Sequence, residues 1–203
     1  FILDVLENYT TYKLYFQLSK AITDDPKINK KKAAQAIGRF VSLHPHKLAQ
    51  KTEINIEHFR QVVAHKIGGK AKAMVVTGSR LHAKRYFEEF NRYIEDNLKI
   101  LVAFSGKVVD DNFPEGVTEP QLIGAGEKEL PHVFKQDEYK ILIVADKYQT
   151  GFDQPLLHTL YVDKPLSGVK AVQTLSRLNR TTEGKDDTFV LDFANDRETI
   201  LDS

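Results

Sequence analysis

From residue 73 onward the chain alternates short apolar runs rich in β-branched residues, at 74–77, 100–104, 141–145, 159–162 and 188–193, with amphipathic stretches of helical length between several of them. Few folds accept that pattern. A continuous apolar run has both faces covered, and strands of that kind joined through helices lie parallel with right-handed crossovers. The body therefore reads as α/β, a parallel sheet flanked by helices. In such sheets ligands gather beyond the carboxyl ends of the strands, which directs attention to the residues that follow each run.

Before residue 73 the texture is helical. Val5, Leu6, Tyr9, Tyr12, Leu14, Phe16 and Leu18 recur at roughly helical spacing until Asp24, Asp25 and Pro26 interrupt them. A second series, Ala33, Ala34, Ile37, Phe40 and Val41, runs to Pro45, and a third, Ile56, Phe59, Val62, Val63 and Ile67, stops at Gly68 and Gly69. Paired glycines suit a left-handed helix cap. The expected organisation is a helical connecting segment over 1–50 and an α/β domain over 51–203.

Charge divides the same way. Residues 1–72 carry 13 Lys or Arg against 6 Asp or Glu, an excess of +7, whereas residues 73–203 carry 16 against 22, an excess of −6. A basic arm suits a polyanion partner, and a solvated helical face explains Lys27, Lys30, Lys31 and Lys32 equally well. With 41% hydrophobic and 28% charged residues the chain can build a core, which excludes disorder. It has no cysteine and no run of eighteen apolar residues, which argues against a disulfide-stapled secreted domain and a membrane span. A cytoplasmic protein without a membrane partner is expected. The chain opens on Phe1 with no leader behind it, and so reads as a piece of something longer.

Three turns after strands carry chemistry. Thr77, Gly78, Ser79 and Arg80 follow the first strand and open a helix with Ala83, Tyr86, Phe87 and Phe90 on its inner face. Ser79 is a good N-cap and Arg80 a nearby cation, which suits a phosphate or simply an ordinary cap with a surface arginine. Ser105, Gly106 and Lys107 follow the second strand and admit a close sugar-phosphate backbone, though many turns have this composition. The third strand leads into Thr150-Gly151-Phe152-Asp153-Gln154-Pro155, in which Gly151 permits a tight turn, Asp153 supplies a carboxylate and Pro155 fixes the exit. Further on, Gln173, Arg177 and Arg180 stand at i, i+4 and i+7, so a helix over this stretch would place all three on one face. Two arginines there need an anionic ligand or several carboxylates.

These elements resemble the second RecA-like domain of superfamily 2 helicases. Residues 77–80 stand in place of motif IV, 150–153 of motif V, and Gln173, Arg177 and Arg180 form the Gln-x-x-x-Arg-x-x-Arg of motif VI. The closer resemblance is to the motor (R, restriction) subunit of bacterial type I restriction enzymes, on residues 1–12 (FILDVLENYTTY), 69–85 (GKAKAMVVTGSRLHAKR) and 142–181 (LIVADKYQTGFDQPLLHTLYVDKPLSGVKAVQTLSRLNRT). Ser176 departs from the glycine that many superfamily members have before the first arginine.

The resemblance implies a domain that completes an ATP site across a cleft. Arg177 and Arg180 are implied as arginine fingers, Gln173 as facing the γ-phosphate or attacking water, and Gly151 and Asp153 as lining the nucleotide cleft. Thr77, Ser79, Arg80, Ser105, Lys107 and Thr150 are implied contacts to the DNA backbone. No G-x-x-x-x-G-K-[ST] occurs, so the phosphate cradle and the Mg²⁺ ligand of this ATPase are expected on a first RecA-like domain, and this piece alone should be inactive. Implied partners are double-stranded DNA and the methyltransferase and specificity subunits. No metal of its own is expected: His44-Pro45-His46 with His58 and His65 makes a poor zinc set, and Glu138-Tyr139-Lys140 with Asp110 and Asp111 only superficially matches a nuclease strand. Alternatives are another superfamily 2 ATPase, such as a chromatin or repair translocase, and a non-catalytic α/β module whose arginine face docks an acidic partner.

Overall fold

The computed structural model describes residues 38, 41–94, 98–148 and 152–195. The first expected helix lies outside these residues, as does nearly all of the second. Of the chain's two compact units, Phe1–Lys51 and Thr52–Ser203, the second holds the sheet.

All five expected strands form, and they make one parallel sheet. In chain order they are β1 (Lys72–Thr77), β2 (Lys99–Ala103), β5 (Tyr139–Ala145), β6 (Leu157–Asp163) and β7 (Phe189–Asp192), in spatial order β2-β5-β1-β6-β7. Every residue of β1 and β6 is buried, which is why their sequences show no polar alternation. One face carries Met74, Val76, Leu101, Leu142, Val144, Leu160 and Val162 into a core with Phe134, Phe152 and Leu178. Helix α2 (Arg80–Tyr93) packs against β1, β2 and β5, burying Ala83, Tyr86 and Phe90 as its spacing predicts but leaving Phe87 half-buried.

Three features differ from expectation. The helical residues 41–42 stop before Pro45 as expected, but Pro45 itself opens a new helix: α1 runs Pro45–Gln61, and proline is tolerated in a first turn because its missing N–H is unbonded there anyway. The stop near Gly68 and Gly69 is reached through two 3-10 turns, with both glycines at positive φ (60° and 82°). An antiparallel hairpin, β3 (Lys107–Asp110) and β4 (Phe113–Thr118), follows β2 and is additional to the expected strands. Three short helices are also present: α3 (Glu119–Ile123), α4 (Leu130–Val133) and α5 (Val169–Leu175).

At the amino end of β1, Lys72 is fully buried and donates to the carbonyls of Gln136 (2.8 Å) and Tyr139 (2.6 Å), with its ammonium 5.0 Å from the Phe134 ring centroid. Burial, reinforced by the nearby Lys140, pushes it down to about 8. Between that value and the ordinary one near 10.5 the unfolded chain holds a proton that the folded chain has released, so stability rises with pH across this window and is lower below it. The rise is of order 2 kcal/mol. Lys72→Met should lack it: wild-type Tm relative to the variant should climb between pH 8 and 10. Parallel Tm profiles for the two proteins would refute the assignment.

Candidate functional site

The expected residues fall into two clusters. The first lies at the carboxyl ends of β1 and β2. Ser79 caps α2 by accepting from the backbone N–H of His82 at 3.2 Å, and Arg80 Nη1 donates to the Ser105 carbonyl at 3.1 Å. Gly106 makes that contact possible: its φ is +78°, and a Cβ there would stand 2.8 Å from Arg80 Nη1. Arg80, Ser105, Gly106 and Lys107 are all exposed, and Lys107 begins β3. Thr77 differs. It is buried, with its hydroxyl donating inward to the Val144 carbonyl at 2.9 Å, so its side chain is turned away from any backbone contact at the edge.

The second cluster joins motif V to motif VI. Phe152 is buried against Tyr148 (centroids 4.8 Å apart) and Phe134 (6.0 Å), Gln154 is also buried, and Asp153 between them turns outward. Asp153 Oδ1 lies 2.9 Å from Arg180 Nε, and the two side chains remain 69% and 53% exposed. Arg177 reaches the same loop, donating from Nη1 to the Phe152 carbonyl at 3.1 Å and from Nε to the Gln173 carbonyl at 3.2 Å. Gln173 is exposed one turn before. Thr150 and Gly151 lie outside the described residues.

The shared helical face is corrected. Helix α5 ends at Leu175, a 3-10 turn carries Ser176–Asn179, and Arg180 is extended (φ −75°, ψ 126°). Side-chain donors compete for the end of the helix: Ser176 Oγ and Arg177 Nε both take the Gln173 carbonyl. Arg180 thereby leaves the helix surface and meets Asp153. Ser176 has ordinary helical angles (φ −61°, ψ −13°), so this position needs no glycine.

The two clusters also sit at different ends of the sheet. Pro155 is two residues ahead of β6, and Arg180 lines a cleft of about 220 Å³ with Asn179, Thr181, Lys185 and Thr188, the last directly preceding β7. The arginine cluster is thus anchored near the amino ends of β6 and β7, about 20 Å from the Arg80 edge for strands of this length. The carboxyl-end expectation holds for the first cluster only.

At the carboxyl ends of β2 and β5 a buried ion pair steadies the loop after β5. Glu119, 2% exposed, accepts from the Phe104 backbone N–H (2.7 Å) and from Lys147 (2.9 and 3.0 Å), and Lys147 also meets the exposed Glu127 at 2.8 Å. Burial pushes the Glu119 carboxyl up against the pull of Lys147 and Phe104. Burial also lowers the Lys147 ammonium, but Glu127 and Glu119 more than reverse it. In the same loop Lys147 N–H donates to the Ala145 carbonyl (2.6 Å) around Asp146 at φ 57°, and Tyr148 stands at φ 62°. Left-handed backbone at a tyrosine is strained, and packing on Phe152 holds it. Glu119 and Lys147 went unnoticed in the sequence, where nothing local pairs them.

Other candidates are engaged structurally. Glu138 pairs with Lys99 (2.7 Å), Lys140 donates to the Gly69 carbonyl (2.8 Å), and Asp110 pairs with the buried Lys84. Among the described residues no three His, Cys, Asp or Glu side chains gather as a metal site, and no helix is long and apolar enough to cross a membrane.

The family model described as type I restriction enzyme subunit R domain 3 matches residues 125–195, which hold the second cluster. The type I restriction enzyme MjaIXP endonuclease subunit of Methanocaldococcus jannaschii is 30% identical over 184 residues, covering 87% of this chain and 17% of the relative. The chain is similar to the R subunits of type I restriction enzymes. A second R-subunit relative, the HindI endonuclease subunit of Haemophilus influenzae, is 32% identical over 130 residues, 57% of this chain and 12% of its own length. The chain therefore spans less than a fifth of either relative. Among solved structures, Mss116p bound to ssRNA and AMP-PNP matches at TM-score 0.50 and 19% identity over 76% of this chain and 27% of that one. The C-terminal part of the Fun30 ATPase domain matches at TM-score 0.51 and 14% identity over 94% and 64%. At such identities the likeness concerns the fold, which is the RecA-like sheet of helicase-type proteins.

Proposed function

We propose that this chain is the second RecA-like domain of a type I restriction motor subunit and contributes the arginine half of an ATPase site that drives double-stranded DNA translocation before cleavage. The observation that carries the reading is the meeting of Arg180 with Asp153 while Arg177 grips the Phe152 carbonyl. Motifs V and VI, separate in sequence, converge on one exposed patch. Arg180 is held by a single exposed carboxylate, and such a pair is worth only about 0–1 kcal/mol, so a triphosphate can displace it. A guanidinium stays charged and can bond two oxygens at once, which suits the charge developing on a transferring phosphoryl group.

In this reading the phosphate cradle and Mg²⁺ come from a first RecA-like lobe, and Gln173, Gly151 and Asp153 face the same nucleotide. The 203-residue chain alone should not hydrolyse ATP. Closure on nucleotide moves the Arg80 edge with the domain, so that Ser79, Arg80, Ser105, Lys107 and Thr150 hold DNA phosphates while the cleft opens and shuts. Methyltransferase and specificity subunits would complete the enzyme, with sequence recognition in the latter. The relatives' naming as endonuclease subunits supports a DNA-cleaving parent.

The reading is tested by Arg180→Ala in the longer subunit, with DNA-stimulated ATP hydrolysis as readout. Near-normal turnover rejects it. For the DNA edge, Arg80→Ala should weaken binding alike on unrelated duplexes and reduce the slope of log affinity against log salt by about 1. An unchanged slope removes Arg80 from the contact set.

A further inference from the structure

Lys185 belongs to neither motif, yet it touches both. Its Nζ donates to the carbonyls of Leu178 (2.7 Å), Arg180 (2.8 Å) and Pro155 (3.3 Å). Leu178 and Arg180 end the motif VI turn, where helical carbonyls lack partners in the chain direction. Pro155 ends the motif V turn that presents Asp153. An ammonium has three donors and here finds three acceptors, one loop on either side.

We propose that Lys185 is a positioning residue that clips motif VI to motif V and so fixes Arg180 beside Asp153 for nucleotide. The proposal rests on the reading of Arg180 given above. With its donors directed at main-chain oxygens, Lys185 acts through the backbone of the arginine and meets no phosphate itself. The segment that delivers it is built to hold still. Lys185 N–H donates to the Thr182 carbonyl at 3.2 Å, closing a turn over Gly184 at φ +77°. Two residues on, Asp187 is anchored by Lys66 (2.6 Å) and the buried His158 (2.8 Å). Burial lowers the Lys185 ammonium below its ordinary value, yet three carbonyl acceptors favour the charged form.

The test is DNA-stimulated ATP turnover of the full-length R subunit carrying Lys185→Met, Arg180→Ala, or both. Lys185→Met should lower kcat by about 10- to 100-fold, the loss expected from a slight misplacement of a catalytic group, with KM for ATP changed less than about twofold. The double variant should be no slower than Arg180→Ala alone, because a group that works through Arg180 has nothing left to position. A purely structural lysine would give losses that multiply. Lys185→Gln, whose amide supplies two donors, serves where methionine compromises folding, with an expected loss of about three- to tenfold by the same argument. Turnover near wild type in the Lys185 variants, or multiplying losses, overturns the proposal while Arg180→Ala still collapses turnover. Near-normal turnover of Arg180→Ala by itself overturns instead the reading beneath it.

Discussion

Arg180→Ala in the longer subunit is expected to lower DNA-stimulated ATP turnover by about 10³- to 10⁵-fold, the range for removing an arginine that stabilises phosphoryl transfer. The fold should be indifferent to the change. Arg180 is half exposed, and its side chain pairs with a still more exposed Asp153, so at most about 1 kcal/mol of stability is involved. Tm should move by no more than about 2–4 °C in a domain of this size. A large loss of turnover with a small change in Tm separates chemistry from folding. Arg180→Lys should recover little, because an ammonium keeps the charge but loses the planar fork. Turnover within tenfold of wild type in Arg180→Ala would leave the arginine as a surface pair and nothing more.

The second large effect is on stability. Glu119→Ala removes the acceptor of the buried Phe104 N–H and the innermost partner of Lys147, leaving that lysine with the exposed Glu127. Breaking one side of a buried pair costs about 3–5 kcal/mol, which corresponds to a fall in Tm of roughly 6–20 °C at about 2–4 °C per kcal/mol. Glu119→Leu combined with Lys147→Met should recover much of the loss, since apolar side chains of similar volume replace a buried ion pair at little net cost. Thermal unfolding of the two variants beside wild type decides it. A Glu119→Ala loss below about 1 kcal/mol, the value of an exposed pair, would show that the pair contributes nothing beyond its geometry. The pH sign is unusual for a carboxylate. Because burial holds folded Glu119 above its ordinary value, the folded chain takes up this proton first as pH falls, so this group favours the fold in mild acid and opposes it as pH rises through the raised value.

The parallel sheet could be read from the chain because burial on both faces leaves an unmistakable trace. β1 and β5 show it as unbroken Met, Val, Ile and Leu at 74–76 and 141–144, and the crossover topology then follows. The β3–β4 hairpin was harder, since its residues are mostly exposed; Asp110-Asp111-Asn112 between Val109 and Phe113 was the turn signal available. Arg177 and Arg180 were identifiable from their spacing, but the spacing implied a helix that stops short of them. The turn beyond it is held from further along the chain: the ammonium of Lys185 takes the carbonyls of Leu178 and Arg180, a cap that no i, i+4 pattern encodes. The reach of Lys185 to the Pro155 carbonyl, 30 residues back, leaves no local pattern either.

The placement of β1 at the middle of the sheet bears on how such a protein is made. Ala73 pairs with Ile141 on one side and Thr159 on the other, so the strand synthesised first among the five waits for partners that leave the ribosome much later. Until both arrive, its backbone N–H and C=O groups and its apolar side chains are open to the wrong neighbour, and pairing so distant along the chain is intrinsically slow. A nascent chain halted before Leu157 would expose an unpaired edge in the centre of the domain, a state for chaperones to guard.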